Sequence, residues 1–254
     1  DVYKRQLSYL VPNLNYAASD SRARYFQIRG IGERSGYQGT PNSSVGFLID
    51  DIDYSGQGGI ATLFDVDQVE VFRGPQGSRT GANALAGLIY IKTKDPTDKF
   101  EGTSELTFGD YGTQNIGVAF GGPLKNEKMK YRLVMRTDYT DGYRKNIYLN
   151  KSDTSKKDEI TLRYKLHWEI DETTNINFLV SKVDMDDPAD IWTIDGSLNT
   201  LSDRPGLDSQ KTNSYGMKIT KEFNTFNFKS LTSLTKTDVV FSYDADWGNP
   251  ESHF

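Results

Sequence analysis

From Phe100 onward the chain alternates apolar and polar residues over stretches long enough to be strands. In the clearest stretch Ile160, Leu162, Tyr164, Leu166 and Trp168 alternate with Thr161, Arg163, Lys165 and His167. Successive side chains of a strand point to opposite faces, so one face is apolar and the other charged. Five further stretches repeat this. They set Leu106 and Phe108 against Glu101, Thr103, Glu105 and Thr107, then Ile116, Val118 and Phe120 against Asn115, Gly117 and Ala119. Next come Tyr131, Leu133 and Met135 against Lys130, Arg132 and Arg136, and Ile176, Phe178 and Val180 against Asn177, Leu179 and Ser181. Tyr215, Met217 and Ile219 face away from Ser214, Gly216 and Lys218. A seventh stretch, from about Phe226 to Thr235, has no clear face assignment.

Segments of about ten residues with this pattern fit transmembrane β-barrel strands. A soluble sandwich would bury the same apolar face against a second sheet, so alternation alone leaves both architectures open. The connections favour the barrel. Those at 121–127, 171–173 and 224–225 are tight, whereas those at 141–157 and 184–211 are long and polar. Tight turns at one end and long loops at the other mark outer-membrane barrels. The connection around Asp110-Tyr111-Gly112 is an exception, being short on the long-loop side.

Before Asp95 the pattern is different. Short β-like runs fall at 25–29, 45–50, 68–72 and 88–93, with helix-like pieces at 60–64 and 79–86. This predicts a small α+β domain.

Composition narrows the field. The 254 residues are 36% hydrophobic and 26% charged, with a mean hydropathy of -0.62. No apolar run approaches the roughly 18 residues of a membrane helix. Barrel strands average out as hydrophilic, so the barrel survives this test. Tyr, Phe and Gly are plentiful, which suits strands, turns and an aromatic girdle, although a soluble β-protein would share the trend. A net charge of -5 lends no support to a nucleic-acid partner. With no cysteine there is no disulfide, thiolate metal site or cysteine nucleophile, and with only His167 and His253 no histidine triad or histidine metal site is expected. The opening residues 1–6, DVYKRQ, resemble stray peptide at the end of an assembled fragment. They are set aside, and the missing signal peptide is read as truncation.

Four groups of residues could carry chemistry. Asp50, Asp51 and Asp53 could hold a hard cation, but lack the spacing of a calcium loop and also read as turn or solvated carboxylates. The run Arg73-Gly74-Pro75-Gln76-Gly77-Ser78-Arg79 is glycine-rich without the lysine of a phosphate loop. Asp184, Asp186, Asp187, Asp190 and Asp195, with Trp192, form an acidic loop that reads foremost as solvated, with contact to ligand or cations as the alternative. Arg132, Arg136, Arg163 and Lys165 could attract an anionic solute. They could equally pair with carboxylates such as Glu101 and Glu105, the reading preferred here. A soluble hydrolase using paired carboxylates is a competing class, but no pair stands in a recognisable motif. No catalytic residues, metal site or cofactor are expected.

Four ordered motifs then point one way. Phe26-Gln27-Ile28-Arg29-Gly30, the strand at 45–51 (VGFLIDD), the run at 63–77 (LFDVDQVEVFRGPQG) and the run at 81–94 (GANALAGLIYIKTK) resemble the plug domain of TonB-dependent outer-membrane receptors. Asp51 stands where that family often has Gly. Gly121-Gly122-Pro123-Leu124 is similar to the family's first periplasmic turn, and residues 229–234 and 244–246 look like its barrel segments. The resemblance covers nearly all of the chain after residue 24. It implies an α+β plug domain, with its amino-terminal part missing, at 7–97. Antiparallel transmembrane β-barrel strands follow at 98–254, about seven of the roughly 22 that close such a barrel.

The resemblance also implies a function: active uptake of a scarce bulky solute such as a ferric siderophore. The receptor would sit in the outer membrane of a Gram-negative bacterium, surrounded by lipid and driven by the TonB complex. The TonB box and the start of the plug are expected before residue 1. A passive porin-like or adhesive barrel is the alternative, and the plug motifs argue against it. By resemblance, Arg29 and Arg73 lock the plug to the barrel wall, and Glu70 pairs within the plug or with the wall. Gly30, Gly74, Gly77, Gly81 and Gly87 permit the plug's tight turns. The loop after residue 51 would rise toward the outer face and bring Tyr54, Ser55 and Gln57 to the solute. Trp168 and Tyr164 read as lipid-facing girdle residues.

Overall fold

The computed structural model describes residues 8–18, 23–35, 42–57, 60–80, 83–125 and 127–252. The chain divides into two compact units, Asp1–Lys94 and Asp95–Phe254. In the first, β1 (Leu14–Ala18) pairs antiparallel with β2 (Ala23–Ile28). A four-stranded sheet has the order β4-β3-β6-β5, from β3 (Val45–Ile49), β4 (Ile52–Asp53), β5 (Val66–Arg73) and β6 (Gly87–Thr93). β3 and β6 run parallel, and both are apolar along most of their length because both faces are covered. Leu88 and Ile89 are fully buried and Ile91 nearly so. Burying each such side chain contributes about 1.5–3 kcal/mol before entropy is counted. Leu48, Ala84 and Leu88 form one buried cluster, with Phe72 and Tyr90 packed against it. The rings of Phe26 and Phe47 stack at 5.7 Å.

The expected helices shrink. The described helix is Gly77–Thr80, which reaches only the first two residues of the piece at 79–86; residues 83–86 are not helical, and beyond Ile60 the piece at 60–64 is irregular. Tertiary hydrogen bonds win over alanine's propensity. The Ala84 N–H donates to the Ser43 carbonyl and the Ala86 N–H to the Ser44 carbonyl. In return Gln76 and Gly74 donate to the carbonyls of Ala84 and Ala86, and Ala84 sits at φ 72°, which no helix accepts.

The second unit is one antiparallel sheet of seven strands with two short bridging pieces. The main strands are β7 (Glu101–Phe108), β8 (Gln114–Pro123), β9 (Met129–Thr140), β11 (Lys157–Asp171), β12 (Thr174–Ala189), β14 (Gly206–Glu222) and β15 (Asn227–Ser242). Their order, β15-β14-β12-β11-β9-β8-β7, is that of a simple meander, open at β7 and β15. The two-residue pieces β10 (Lys145–Asn146) and β13 (Asn199–Thr200) pair in parallel between the two long connections.

The register keeps the faces apart. Tyr164 lies opposite Leu133 and Val180, Val180 opposite Tyr215, and Tyr215 opposite Leu234. The last pairing assigns the face of the seventh stretch, which its own pattern leaves undecided. The strands also run farther than alternation predicts. β12 and β14 stay paired out to Ala189↔Gly206, so the connection expected at 184–211 shortens to 190–205. Its first acidic residues pair across the ladder, Asp184 with Lys211 and Asp186 with Ser209.

Candidate functional site

In the first unit the turn after β3 gathers the candidate carboxylates. Asp50, Asp51 and Asp65 all have positive φ, the left-handed region that Asp and Asn tolerate. Asp50 accepts hydrogen bonds from the Thr93 N–H (2.9 Å) and hydroxyl (2.6 Å). Asp51 accepts one from the Tyr90 hydroxyl at 3.2 Å. Asp53 takes the Ser55 N–H at 2.8 Å and the Asn83 amide at 2.8 Å. Each acid therefore ties a turn to its neighbours, and among the described residues no group of three metal-ligating side chains is found.

The residues expected to meet a solute occupy the same turn. Tyr54 is 3% exposed. Its N–H donates to the Phe47 carbonyl, and its own carbonyl accepts from Gln57. The Ser55 hydroxyl receives the Phe47 N–H at 3.0 Å, and Ser55 and Gln57 are half-buried. Tyr54 is thus a buried prop beneath the turn, a placement that alternation in a glycine-rich stretch does not reveal.

The expected locking residues are more open. Arg29 is exposed at φ 54° beside Gly30 (φ 78°), with its N–H donating to the Asn13 carbonyl. Arg73 is exposed at the end of β5. Glu70 accepts a hydrogen bond from the Gln68 amide at 2.8 Å. Gly74 has φ 138°, which favours glycine. Gly87 is required for a different reason: a Cβ there would meet the Phe72 carbonyl oxygen and, at 2.6 Å, the Ile28 side chain. A Cβ at Gly77 would meet open space, and Gly81 lies outside the described residues.

In the second unit the polar face carries the charge. Arg132 pairs with Glu101 at 3.0 Å and Arg136 with Glu105 at 2.6 Å, the pairing preferred from the sequence. Arg136 also grips Asp138 at 2.8 Å. Lys165 reaches Asp95 at 3.1 Å, and Lys130 bridges Asp98 and Glu169, each at 2.7 Å. The Lys130 ammonium holds the Asp98 carboxyl below its ordinary range. Arg163 is buried in the same row, and His167 Nδ1 lies 2.7 Å from the Asn177 amide oxygen.

The acidic loop is a correction. Asp187 and Asp190 are buried rather than solvated. Asp187 accepts the Asp158 N–H at 2.8 Å, and Asp190 accepts the Asn146 amide at 2.9 Å and the Thr200 hydroxyl at 2.8 Å. Ser202 donates to Asp244 at 2.6 Å, and the Asn249 amide to the Leu201 carbonyl at 2.8 Å. Three successive connections are thereby tied by polar side chains. Buried carboxylates need such donors. A polar loop sequence does not announce them; the Asn-Thr-Ser pattern at 146, 200 and 202 becomes a signal only once β10 and β13 are paired. Asp195 stays outside this network, capped by the Ser197 N–H at 2.9 Å.

A small α+β domain whose turns are tied by carboxylates thus stands in one chain with a sheet that buries arginines and a lysine on one face and exposes apolar residues on the other. Residues 4–88 match the TonB-dependent Receptor Plug Domain. The chain is 27% identical over 158 residues to the vitamin B12 transporter BtuB of Vibrio vulnificus, covering 57% of this chain and 26% of the relative. It is 28% identical over 114 residues to the ferripyoverdine receptor of Pseudomonas aeruginosa, covering 44% of this chain and 13% of that one. The fold is similar to the ferric yersiniabactin uptake receptor FyuA of Yersinia pestis, with a TM-score of 0.82 at 20% identity over 94% of this chain and 39% of that one. The chain therefore spans well under half the length of the proteins it matches. Residues 4–88 thus carry the plug domain of TonB-dependent receptors, and the chain is similar in sequence and in fold to receptors and transporters of the Gram-negative outer membrane.

Proposed function

We propose that this protein takes up a scarce bulky solute across the outer membrane, with a ferric siderophore as its cargo and the TonB complex as its source of energy. The observation that carries this reading is the joining of a plug domain to a sheet of reversed polarity in a single chain. We assign the plug to 7–97 and the start of the transmembrane barrel to 98–254. The apolar face, with Tyr164 and Trp168, meets lipid. Arg29, Arg73 and Glu70 lie in the matched motifs and act in seating the plug against the wall. The turn bearing Ser55 and Gln57, propped by Tyr54, meets the solute. The work is displacement and transport and needs no catalytic group.

The test is uptake of labelled ferric siderophores, with labelled cobalamin in parallel, by cells in which the gene is the only receptor. Ferric siderophore uptake that vanishes when TonB is deleted supports the proposal. Uptake of cobalamin alone changes the cargo and keeps the mechanism. Entry of either solute without TonB makes the protein a passive pore and overturns the energised reading.

A further inference from the structure

Two loops of the first unit meet through one carboxylate and one carboxamide. Asp53, at the end of β4, turns its carboxylate onto the residues that follow it. One oxygen accepts the Ser55 N–H at 2.8 Å and the Ser55 hydroxyl at 2.5 Å. The other accepts the Asn83 amide at 2.8 Å, from 30 residues along the chain. The Asn83 amide oxygen in turn receives the Ser43 N–H at 3.1 Å, which fixes the end of the carboxamide that faces Asp53. The turn at 54–57 also lies close against this segment: Gly56 has φ 76°, and a Cβ there would come within 3.2 Å of the Ser43 hydroxyl oxygen.

From Asn83 the hydrogen bonds continue into the loop that follows β5. The Ala84 N–H donates to the Ser43 carbonyl, the Gln76 N–H to the Ala84 carbonyl and the Gly74 N–H to the Ala86 carbonyl. Gly74 follows Arg73 directly. An unbroken path therefore joins the turn bearing Ser55 and Gln57 to the loop that begins at Arg73. Its only joint made by two side chains from distant loops is Asp53 to Asn83.

We propose that Asp53 and Asn83 are positioning residues, a clasp that sets the solute turn and ties it to the Arg73 loop. This rests on the solute and seating roles proposed above and adds the link between them. A tie of this kind acts in both directions, so loosening the clasp weakens solute binding and frees the loop at 74–76. The chemistry of the clasp also allows it to be inverted. D53N sets two carboxamide nitrogens against each other, and turning Asn83 about would set its nitrogen against the Ser43 N–H. N83D sets two carboxylates against each other. In D53N/N83D the carboxamide at position 53 still accepts from Ser55 and now donates to the carboxylate at position 83, which still accepts from Ser43. Each of these bonds then has its partner again.

The test is a double-mutant cycle on the complete gene product. Amide exchange is read in detergent micelles. Uptake is read in cells given labelled cobalamin or the labelled ferric complex of a catecholate or of a hydroxamate siderophore. Each single variant speeds exchange at Ser43, Ser55 and Gln76 about fivefold, while β6 stays protected. Each raises KM for the transported solute rather than lowering Vmax, and D53N/N83D restores both readouts. Unchanged exchange at Gln76 in the single variants, a double variant no better than the singles, or equal quickening along β6 overturns the clasp. Faster exchange with an unchanged KM overturns the positioning role and leaves the uptake reading standing. If none of these solutes enters cells carrying the unaltered protein, the uptake reading fails for them, and the exchange results alone uphold or overturn the clasp.

Discussion

The two units solve the same burial problem in opposite directions. The plug unit hides Leu48, Leu88, Ile89 and Ile91 at its centre and leaves Arg29 and Arg73 exposed. The sheet hides Arg132, Arg136, Arg163 and Lys165 and leaves Met135, Val180, Tyr215 and Leu234 exposed. Both obey the period-two rule of strands. The difference lies in the medium each apolar face meets: the plug supplies its own, and under the proposed function the sheet finds it in the hydrocarbon of a membrane. In water such a face would be an association surface. An exposed apolar sheet beside buried ion pairs is therefore a statement about solvent, and the first experiments ask whether that inversion holds.

The plug core is the place for the largest effect. Leu88→Ala removes a fully buried side chain from the cluster with Leu48 and Ala84. It should cost about 2–5 kcal/mol. The measurement is amide exchange on β3 and β6, which should accelerate while β11 and β12 stay protected. Equal acceleration in both regions would mean that the units unfold as one and would blur the comparison.

On the sheet the corresponding insult is a charge on the apolar face. Tyr164→Arg near the middle of β11 should cost about 2–4 kcal/mol in a bilayer, although its neighbours Arg163 and Lys165 are native. Spin labels at 162–168 sharpen this: a lipid-soluble quencher should reach the even positions and miss the odd ones. Uniform accessibility would refute the inverted face.

How much of this was legible in the sequence follows from which forces are local. Faces were readable wherever bulky apolar residues alternate with charges, as at 160–168, because the pleat alone sets them. The seventh stretch was not readable, since Leu231 and Leu234 differ by an odd step and fall on opposite faces; only the pairing with Tyr215 decides. Strand ends were missed for a related reason. Beyond Val183 the cross-strand partners of β12 are mostly polar, so hydrogen bonding continues where hydrophobic patterning stops. In the plug, the helix expected at 79–86 fails because Ala84 and Ala86 donate to the carbonyls of Ser43 and Ser44, in the segment that leads into β3. The burial of Tyr54, Asp187 and Asp190 depends on partners brought in from other turns and connections, which no single window of sequence contains.

A smaller effect is expected from the pairs on the polar face. Arg132 is nearly inaccessible, but the Glu101 side chain is half exposed, so solvent screens the interaction. Glu101→Gln should therefore cost about 1 kcal/mol or less, and the difference from the unaltered protein should shrink as salt is raised. Denaturant unfolding in micelles at low and high salt measures it. A loss as large as that of Leu88→Ala would mean that the pair carries the sheet, contrary to the comparison.

The smallest effects lie in the connections, where two carboxylates respond to acid with opposite sign. The Ser197 N–H and hydroxyl hold the Asp195 carboxyl below its ordinary range. The folded form then binds its proton less tightly than the unfolded chain does. Its stabilising contribution is present above the ordinary carboxylate pKa and is lost as pH falls through the lowered value. Asp244 is shifted the other way: burial is the main cause and the Asp246 carboxyl adds to it, against the opposing hydrogen bond from Ser202. Its folded form binds a proton more tightly, so its contribution is fullest at low pH and is lost as pH rises through the raised value. On acidification, amide exchange should therefore quicken around residues 195–199 while it slows around 244–249. Asp195→Asn should flatten the first response and Asp244→Asn the second, each leaving the other intact. Responses of the same sign in both segments would show that acid acts on the connections as a whole and not through these two carboxyls separately.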